Sequence, residues 1–257
     1  MPVMTDERKA IILKVLQNQG RVVAADLSTD LGVSEDTVRR DLRDLADQGL
    51  LRRVHGGALP AAVPMSPVFP KYSSRINQST DAKHAIGRAA SAMISAGQTI
   101  IIDGGTTPLR VAEAISPELP LTVITHSLPV AMTLAKHRAV QLFFVGGAIF
   151  NDYLSTRGAL TVAGYRPIHA DLCILGVASV HPFNGVAVLD AEDAEVKRAI
   201  IGASTKVICV ASSEKLNTAA PFTVAPLSAI HHLVTDKNAE EAFVKTCADA
   251  GLEVTCA

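Results

Sequence analysis

The sequence predicts an α/β chain in two parts: a short helical N-terminal part, then a larger one built on a mostly parallel sheet covered by helices. Three observations carry this. Over residues 1 to 57 the apolar side chains recur at helical intervals, with Ile11, Ile12, Val15 and Leu16 on one stripe and Leu27 with Leu31 on another. From about residue 78 short apolar runs ("QTIIIDGG", "LTVITHS", "VQLFFVGG", "DLCILGV", "KVICVAS", "IHHLVTD") alternate with helical segments such as "TPLRVAEAI" and "LPVAMTLAKH". Runs apolar on both faces suit a parallel sheet with helices on each side. Between the parts, "LPAAVPMSPVFP" holds Pro60, Pro64, Pro67 and Pro70, which remove backbone donors and bias the chain towards extended forms, as a linker does. The expected divisions are residues 1–58, a linker at 59–77, and residues 78–257. No internal repeat is found.

At 48% hydrophobic and 19% charged, the 257 residues have a globular composition, which excludes disorder of the whole chain. A net charge of −1 excludes a globally basic nucleic-acid binder, so any contact with DNA must rest on a local patch. No apolar run approaches the length of a membrane span, and "MPVMTDERKA" lacks the apolar core of a signal peptide, so a soluble, cytoplasmic protein is expected. Cys173, Cys209, Cys247 and Cys256 form no Cys-x-x-Cys pair, and no metal site is expected. Cys173 and Cys209 sit in apolar runs and are expected as buried, reduced thiols in strands.

Within the first part, "RVVAADLSTDLGVSEDTVRRDLRDLADQGLLRR" divides into a helix at about Ala24 to Leu31, a turn at Gly32 and Val33, and a second helix that Ser34 can cap. This is helix-turn-helix spacing. After it come Arg52, Arg53, Val54, His55 and two glycines, as expected for a β-hairpin wing lying along phosphates. Arg39, Arg40, Arg43, Arg52 and Arg53 outnumber Asp41, Asp44 and Asp47, so the patch is positive but modest, which fits a reader of specific sites better than a general polyanion binder. At about 100° per residue, Val38, Leu42 and Leu45 form the buried stripe, opposite Asp36, Arg40 and Arg43. Arg40 is then expected in the major groove and Arg39 at a flank near phosphate, with Asp41 leaning towards the core. Asp36 and Asp44, each four residues from Arg40, can both orient its guanidinium.

In the second part "IIIDGGTTP" runs from a strand into Asp103, Gly104, Gly105, Thr106 and Thr107, then a helix opened by Pro108. Converging backbone N–H groups, hydroxyls and a helix N-terminus suit a phosphate, although a tight structural turn reads the same way. The nucleotide fingerprints Gly-x-Gly-x-x-Gly and Gly-x-x-x-x-Gly-Lys-Ser/Thr are not met. Two more polar strand ends, Thr125-His126-Ser127 and Gly146-Gly147, belong on the same sheet edge, where ligands bind in open α/β folds. His126 can donate to a ligand oxygen or serve as a structural histidine. Arg75, Lys83, Lys197 and Lys215 are the candidate cations, each weighed against an ordinary solvated position, and the loop "SVHPFNGVAVLD" (179–190) is a candidate specificity element.

"Ser-x-x-Thr-Val-Arg-Arg-Asp-Leu" at 34–42 and "Arg-Val-His-Gly-Gly-Ala" at 53–58 resemble the winged-helix signature of the DeoR family of bacterial regulators, and Arg8 and Ile12 fit its first-helix pattern. The resemblance continues through Asp103 to Thr107, Thr125 to Ser127, Gly146 with Gly147, Lys197 with Arg198, and Lys215; Arg75 and Lys83 match a basic pair ahead of the first sensor strand. It implies a winged helix-turn-helix linked to an effector-binding sensor domain related in fold to phosphosugar isomerases. His126 stands where the family usually has asparagine, and Ser212 where it usually has aspartate, which implies a different effector or an altered response.

The resulting expectation is a sequence-specific transcriptional regulator, a repressor of a carbohydrate operon, acting as a homodimer or homotetramer on double-stranded operator DNA. Its effector would be a phosphorylated sugar, with no cofactor. The candidate DNA-contacting residues are Ser34, Asp36, Thr37, Arg39, Arg40, Arg43, Arg52, Arg53 and His55. A sugar-phosphate isomerase-like enzyme using Asp103, Asp190, Glu192 or Asp193 as base is the rival, and a DNA-binding architectural protein with a vestigial second domain is a third possibility.

Overall fold

The computed structural model describes residues 4–19, 21–61, 64–66 and 71–257; of the linker prolines, Pro67 and Pro70 lie outside the described residues. The chain divides into two compact units, residues 1–64 and 65–257.

In the first unit the order is α1 (Thr5–Gln19), β1 (Val22–Val23), α2 (Ala24–Leu31), α3 (Glu35–Asp47), β2 (Leu51–Val54) and β3 (Gly57–Pro60). Gly32 ends α2 in the left-handed region at φ 62°, and Ser34 caps α3 by accepting from the Thr37 amide at 3.2 Å. Ile12, Leu27, Val38, Leu42, Leu45 and Leu51 meet in one small core. Each large apolar side chain among them contributes about 1.5–3 kcal/mol by leaving water. β2 and β3 form an antiparallel hairpin whose tip is His55 and Gly56, and β1 adds to the far side of β3. The two tip glycines answer to different constraints. Gly56 takes φ 81°, whereas a Cβ on Gly57 would sit 1.9 Å from the Val22 carbonyl oxygen of the neighbouring strand. Leu59 and Pro60, expected in the linker, complete β3.

The second unit opens with two helices, α4 (Tyr72–Arg75) and α5 (Thr80–Ser91), so the 59–77 stretch also carries helix. It then alternates β4 (Thr99–Ile102), α6 (Thr106–Ala114), β5 (Leu121–Thr125), α7 (Leu128–Leu134) and β6 (Val140–Phe144). A short hairpin follows, β7 (Ala148–Phe150) and β8 (Ser155–Arg157), then α8 (Ala159–Tyr165) and β9 (Ala170–Gly176). β10 (Ser179–His181), β11 (Gly185–Val188), α9 (Ala191–Gly202), β12 (Ser204–Val210), β13 (Phe222–Ala225), β14 (His232–Thr235), α10 (Glu241–Asp249) and β15 (Glu253–Cys256) complete it.

Seven of these strands form one sheet in the order β15-β14-β12-β9-β4-β5-β6, every neighbouring pair parallel. Alternate residues of β4 separate its two faces: Ile101 joins the core under α8, α9 and α10, while Ile100 and Ile102 join the core under α5 and α6. Cys173 and Cys209 are fully buried in β9 and β12 and free, as their apolar runs predict. The strand order reverses at β4. The chain moves outward through β5 and β6, then returns to place β9 on the other side of β4, which opens a crevice at the carboxyl ends of β4 and β9.

Candidate functional site

The face of α3 opposite its core stripe is exposed, and with it Asp36, Arg40 and Arg43. Arg39 is exposed too and bonds Glu35 one turn earlier at 2.7 Å. It lines a groove together with Arg53 and His55 of the hairpin, so helix flank and wing present one basic edge. Ser34 is exposed, Thr37 half-buried beside it, and Arg52 exposed on β2. Asp41 is buried and pairs with Arg8 of α1, as the core-facing expectation requires. The orienting role expected of Asp44 does not hold: its carboxylate binds Lys9 of α1 at 2.8 Å, and that hydrogen bond, more than Arg40 or Arg43, holds its pKa below the usual range. Among the described residues no hydrogen bond joins Asp36 to Arg40 either.

At the β4–β9 crevice lies a cavity whose wall includes Gly104, Gly105, Thr106, Thr107, Arg75, Lys197 and Lys215. The loop after β4 is fixed from below by Asp103, which is fully buried. Its Oδ1 accepts the Gly104 amide at 2.7 Å, and its Oδ2 accepts the Gly176 amide at 2.8 Å and the Lys197 ammonium at 2.6 Å. Asp103 therefore staples β4 to β9 rather than facing a ligand. Burial alone would lower the Lys197 pKa, but Asp103 and Asp193 outweigh it and the pKa is raised, so Lys197 stays a cation.

The loop in turn leaves donors open. Among the described residues no hydrogen bond reaches the amides of Gly105, Thr106 or Thr107, at the start of α6, and the buried Thr107 Oγ1 has no partner. Arg75, from α4, stacks its guanidinium 4.5 Å above the Tyr153 ring, with Nε and Nη2 buried and without a hydrogen-bond partner among the described residues. Burial lowers its pKa. Lys215 donates to the Val177 carbonyl at 3.0 Å, and burial pushes its pKa down to about 8.

Several residues expected at the ligand stand elsewhere. Lys83 is buried and donates to the Arg75 and Gln78 carbonyls at 2.6 and 2.5 Å, so it anchors the turn between α4 and α5 and does not line the cavity. His126 is buried behind the loop, its Nδ1 2.8 Å from the Tyr165 hydroxyl and its Nε2 3.8 Å from Asp103 Oδ1. Burial, then Lys197, drives its pKa down to about 3, so it is neutral. Thr125 and Ser127 are likewise fully buried off the wall, the Thr125 hydroxyl accepting the Ser127 amide. Gly146 and Gly147 serve packing: a Cβ on Gly147 would meet the Thr161 hydroxyl at 2.2 Å, and the Gly146 carbonyl accepts from that hydroxyl.

Two further wall residues, Tyr153 and Ser155, come from the turn and strand after β7 and were not expected there, while Asp193, named above only as a base for the rival enzyme, reaches the wall from the first turn of α9. Within the loop 179–190, Val188 and Leu189 reach the wall. The apolar-run pattern gives no signal for the β7–β8 hairpin, whose strands are only three residues long.

Residues 8–61 match the DeoR-like helix-turn-helix domain, and residues 78–237 match the DeoR C terminal sensor domain. The HTH-type transcriptional repressor GlcR of Bacillus subtilis (strain 168) is 30% identical over 97% of this chain and 95% of its own length. The glycerol-3-phosphate regulon repressor of Escherichia coli (strain K12) is 32% identical over 88% of each chain. The solved structure of ribose 5-phosphate isomerase A from Methanocaldococcus jannaschii is a distant likeness, with a TM-score of 0.40 and 12% identity over 54% of this chain and 55% of that one. Among the described residues no helix is long and apolar enough to cross a membrane. With both of its domains matched and relatives aligned along almost its whole length, the chain belongs to the DeoR family of DNA-binding transcriptional regulators.

Proposed function

We propose that the protein represses a carbohydrate-metabolism operon and that a phosphorylated sugar, bound in the cavity at the β4–β9 crevice, releases it from its operator. The observation that carries this is the Arg75 guanidinium. Two of its nitrogens are buried in a cavity wall without a hydrogen-bond partner among the described residues, a costly arrangement that a doubly acceptor-rich oxyanion relieves. The open amides of Gly105, Thr106 and Thr107 and the start of α6 supply the remaining donors. The names of the relatives point the same way, one of them being a glycerol-3-phosphate regulon repressor.

An enzymatic role for Asp103 gains no support, since both its oxygens are bound within the protein. Release works only if the effector binds one arrangement of the DNA-binding units better than another. Two such units acting together on one operator imply a homodimer or homotetramer. The experiment is a mobility-shift assay with phosphorylated sugars. Thr106→Glu, which places a carboxylate at the amides, is expected to leave operator binding intact and abolish release; release at wild-type effector concentration removes the pocket assignment.

A further inference from the structure

We propose that Glu214, aimed by Ser212, is a positioning residue for the effector cavity. It ties the segment carrying Arg75 to the segment carrying Lys215, and so sets the spacing at which the two cations meet an anion. The inference rests on the reading of that cavity as an anion site. The cations arrive separately, Arg75 at the end of α4 and Lys215 at the end of a short helical turn, Ser213–Lys215. Among the described residues no backbone hydrogen bond joins that turn to the stretch between α4 and α5. A side chain joins them instead: Glu214 Oε2 accepts the Ser79 hydroxyl at 2.7 Å.

Both ends of this link are stiff enough to pass a displacement on. Ser79 takes φ 48°, a left-handed conformation that a serine holds only against strain, and its carbonyl accepts the Lys83 amide at 3.0 Å. Lys83 also binds the carbonyls of Arg75 and Gln78, so Ser79 and Arg75 move together. On the other side the Ser213 amide donates to Asp236 at 2.7 Å, and Lys215 follows Glu214 directly in the chain. Ser212 is fully buried and off the cavity wall, and its hydroxyl donates to Glu214 Oε1 at 3.0 Å. Its side chain therefore acts on the cavity through Glu214. The aspartate usual in the family at this place would set one carboxylate against another, whereas the serine found here supplies a donor. Charge and position pull in opposite directions. The Glu214 carboxylate repels an anion, yet it favours the charged form of Lys215 against burial, Lys83 and Arg75, with Cys209 of β12 the remaining neighbour.

The test is sulfate binding to the full-length protein, measured by calorimetry across pH. Near pH 6, Glu214→Ala, which removes the link, is expected to weaken sulfate about fivefold, and Ser212→Ala about twofold. Glu214→Gln keeps the acceptor and loses the charge, so it is expected to bind at least as tightly as the wild type there. In both Glu214 variants the fall in affinity that accompanies deprotonation of Lys215 moves to lower pH, because an acid favouring its charged form is gone. Ser212→Ala leaves that fall in place. A role in charge alone would strengthen binding in Glu214→Ala, and a role in folding alone would move the unfolding temperature without the affinity. Either result overturns the proposal, as does wild-type affinity in Ser212→Ala. Arg75→Met separates the two readings. If it leaves sulfate binding unchanged, the anion lies outside the cavity and both fall; a loss in Arg75→Met with none in Glu214→Ala overturns the positioning role alone.

Discussion

Arg8 of α1 and Asp41 of α3 face each other as a two-bonded pair inside the DNA-binding unit, Nε to Oδ2 at 2.5 Å and Nη2 to Oδ1 at 3.0 Å. Arg8 is 7% exposed and Asp41 2%. The pair fixes the rotation of α3 against α1 and so decides which residues of α3 point outward. Removing one partner leaves a buried charge, which costs about 3 kcal/mol. Asp41→Ala is therefore expected to lower the unfolding temperature of the first unit by ten degrees or more at the order of magnitude of ~5 °C per kcal/mol for so small a unit. Replacing both residues by leucine should recover most of that loss. A double variant no more stable than Asp41→Ala would show that the pair is not the cause.

The two adjacent arginines of α3 are expected to separate in their effects on DNA. Among the described residues no hydrogen bond ties Arg40 to Asp36 or to Asp44, which binds Lys9, and Arg40 stands on the outward face. Arg40→Ala should narrow the gap between operator and random DNA by about 1–3 kcal/mol. Arg39 shares its groove with Arg53 and His55 and is the phosphate candidate. Arg39→Ala should weaken all sequences alike and reduce the slope of log K against log salt by about 0.9. Equal losses on operator and random DNA for both variants would remove this division.

How far these features were legible from sequence depends on how local their causes are. The Ser34 cap, the Gly32 turn and the strand at Thr99–Ile102 follow from neighbours in sequence, and each is where the pattern places it. The outward face of α3 was legible from helical period, but the partner of Asp44 comes from α1, thirty-five residues away in sequence. The strand-end motifs misled for a related reason. Strand ends along one sheet edge share a direction but not a cavity: only the ends beside the β4–β9 reversal face it, and neither strand order nor the depth of His126 behind Asp103 is written in a local motif. β15 escaped because its four residues, "EVTC", are few and only half apolar.

Arg75 and Lys197 are both cavity-wall cations, yet their loss should be felt differently. Arg75 has unpartnered donors, so Arg75→Met removes anion binding, by about tenfold or more, with little loss of stability. Lys197 neutralises the buried Asp103 at 2.6 Å. Lys197→Met strands that carboxylate and is expected to destabilise the second unit by about 3–5 kcal/mol. Sulfate titration and thermal unfolding of both variants check the contrast. It fails if Arg75→Met unfolds as early as Lys197→Met.

Anion binding should follow the protonation of Lys215 rather than of histidine. Burial, reinforced by Lys83 and Arg75, lowers Lys215 to about 8, so its charge is present at pH 7 and fades above pH 8. Sulfate keeps its own charge across this range and isolates the protein's titration. Its affinity is expected to hold from pH 6 to 7.5 and to fall about tenfold towards pH 9.5 as one charged donor is lost. Stability should move the other way. With the folded pKa near 8 and the unfolded one near 10.5, the unfolded chain holds more protons between these limits, and this group's contribution to stability rises with pH across them. His126, held at about 3, is neutral throughout and should add no step near pH 6.5. Lys215→Met should abolish the affinity step, and a sulfate-affinity step centred near pH 6.5 in the wild type would place a histidine at the anion instead.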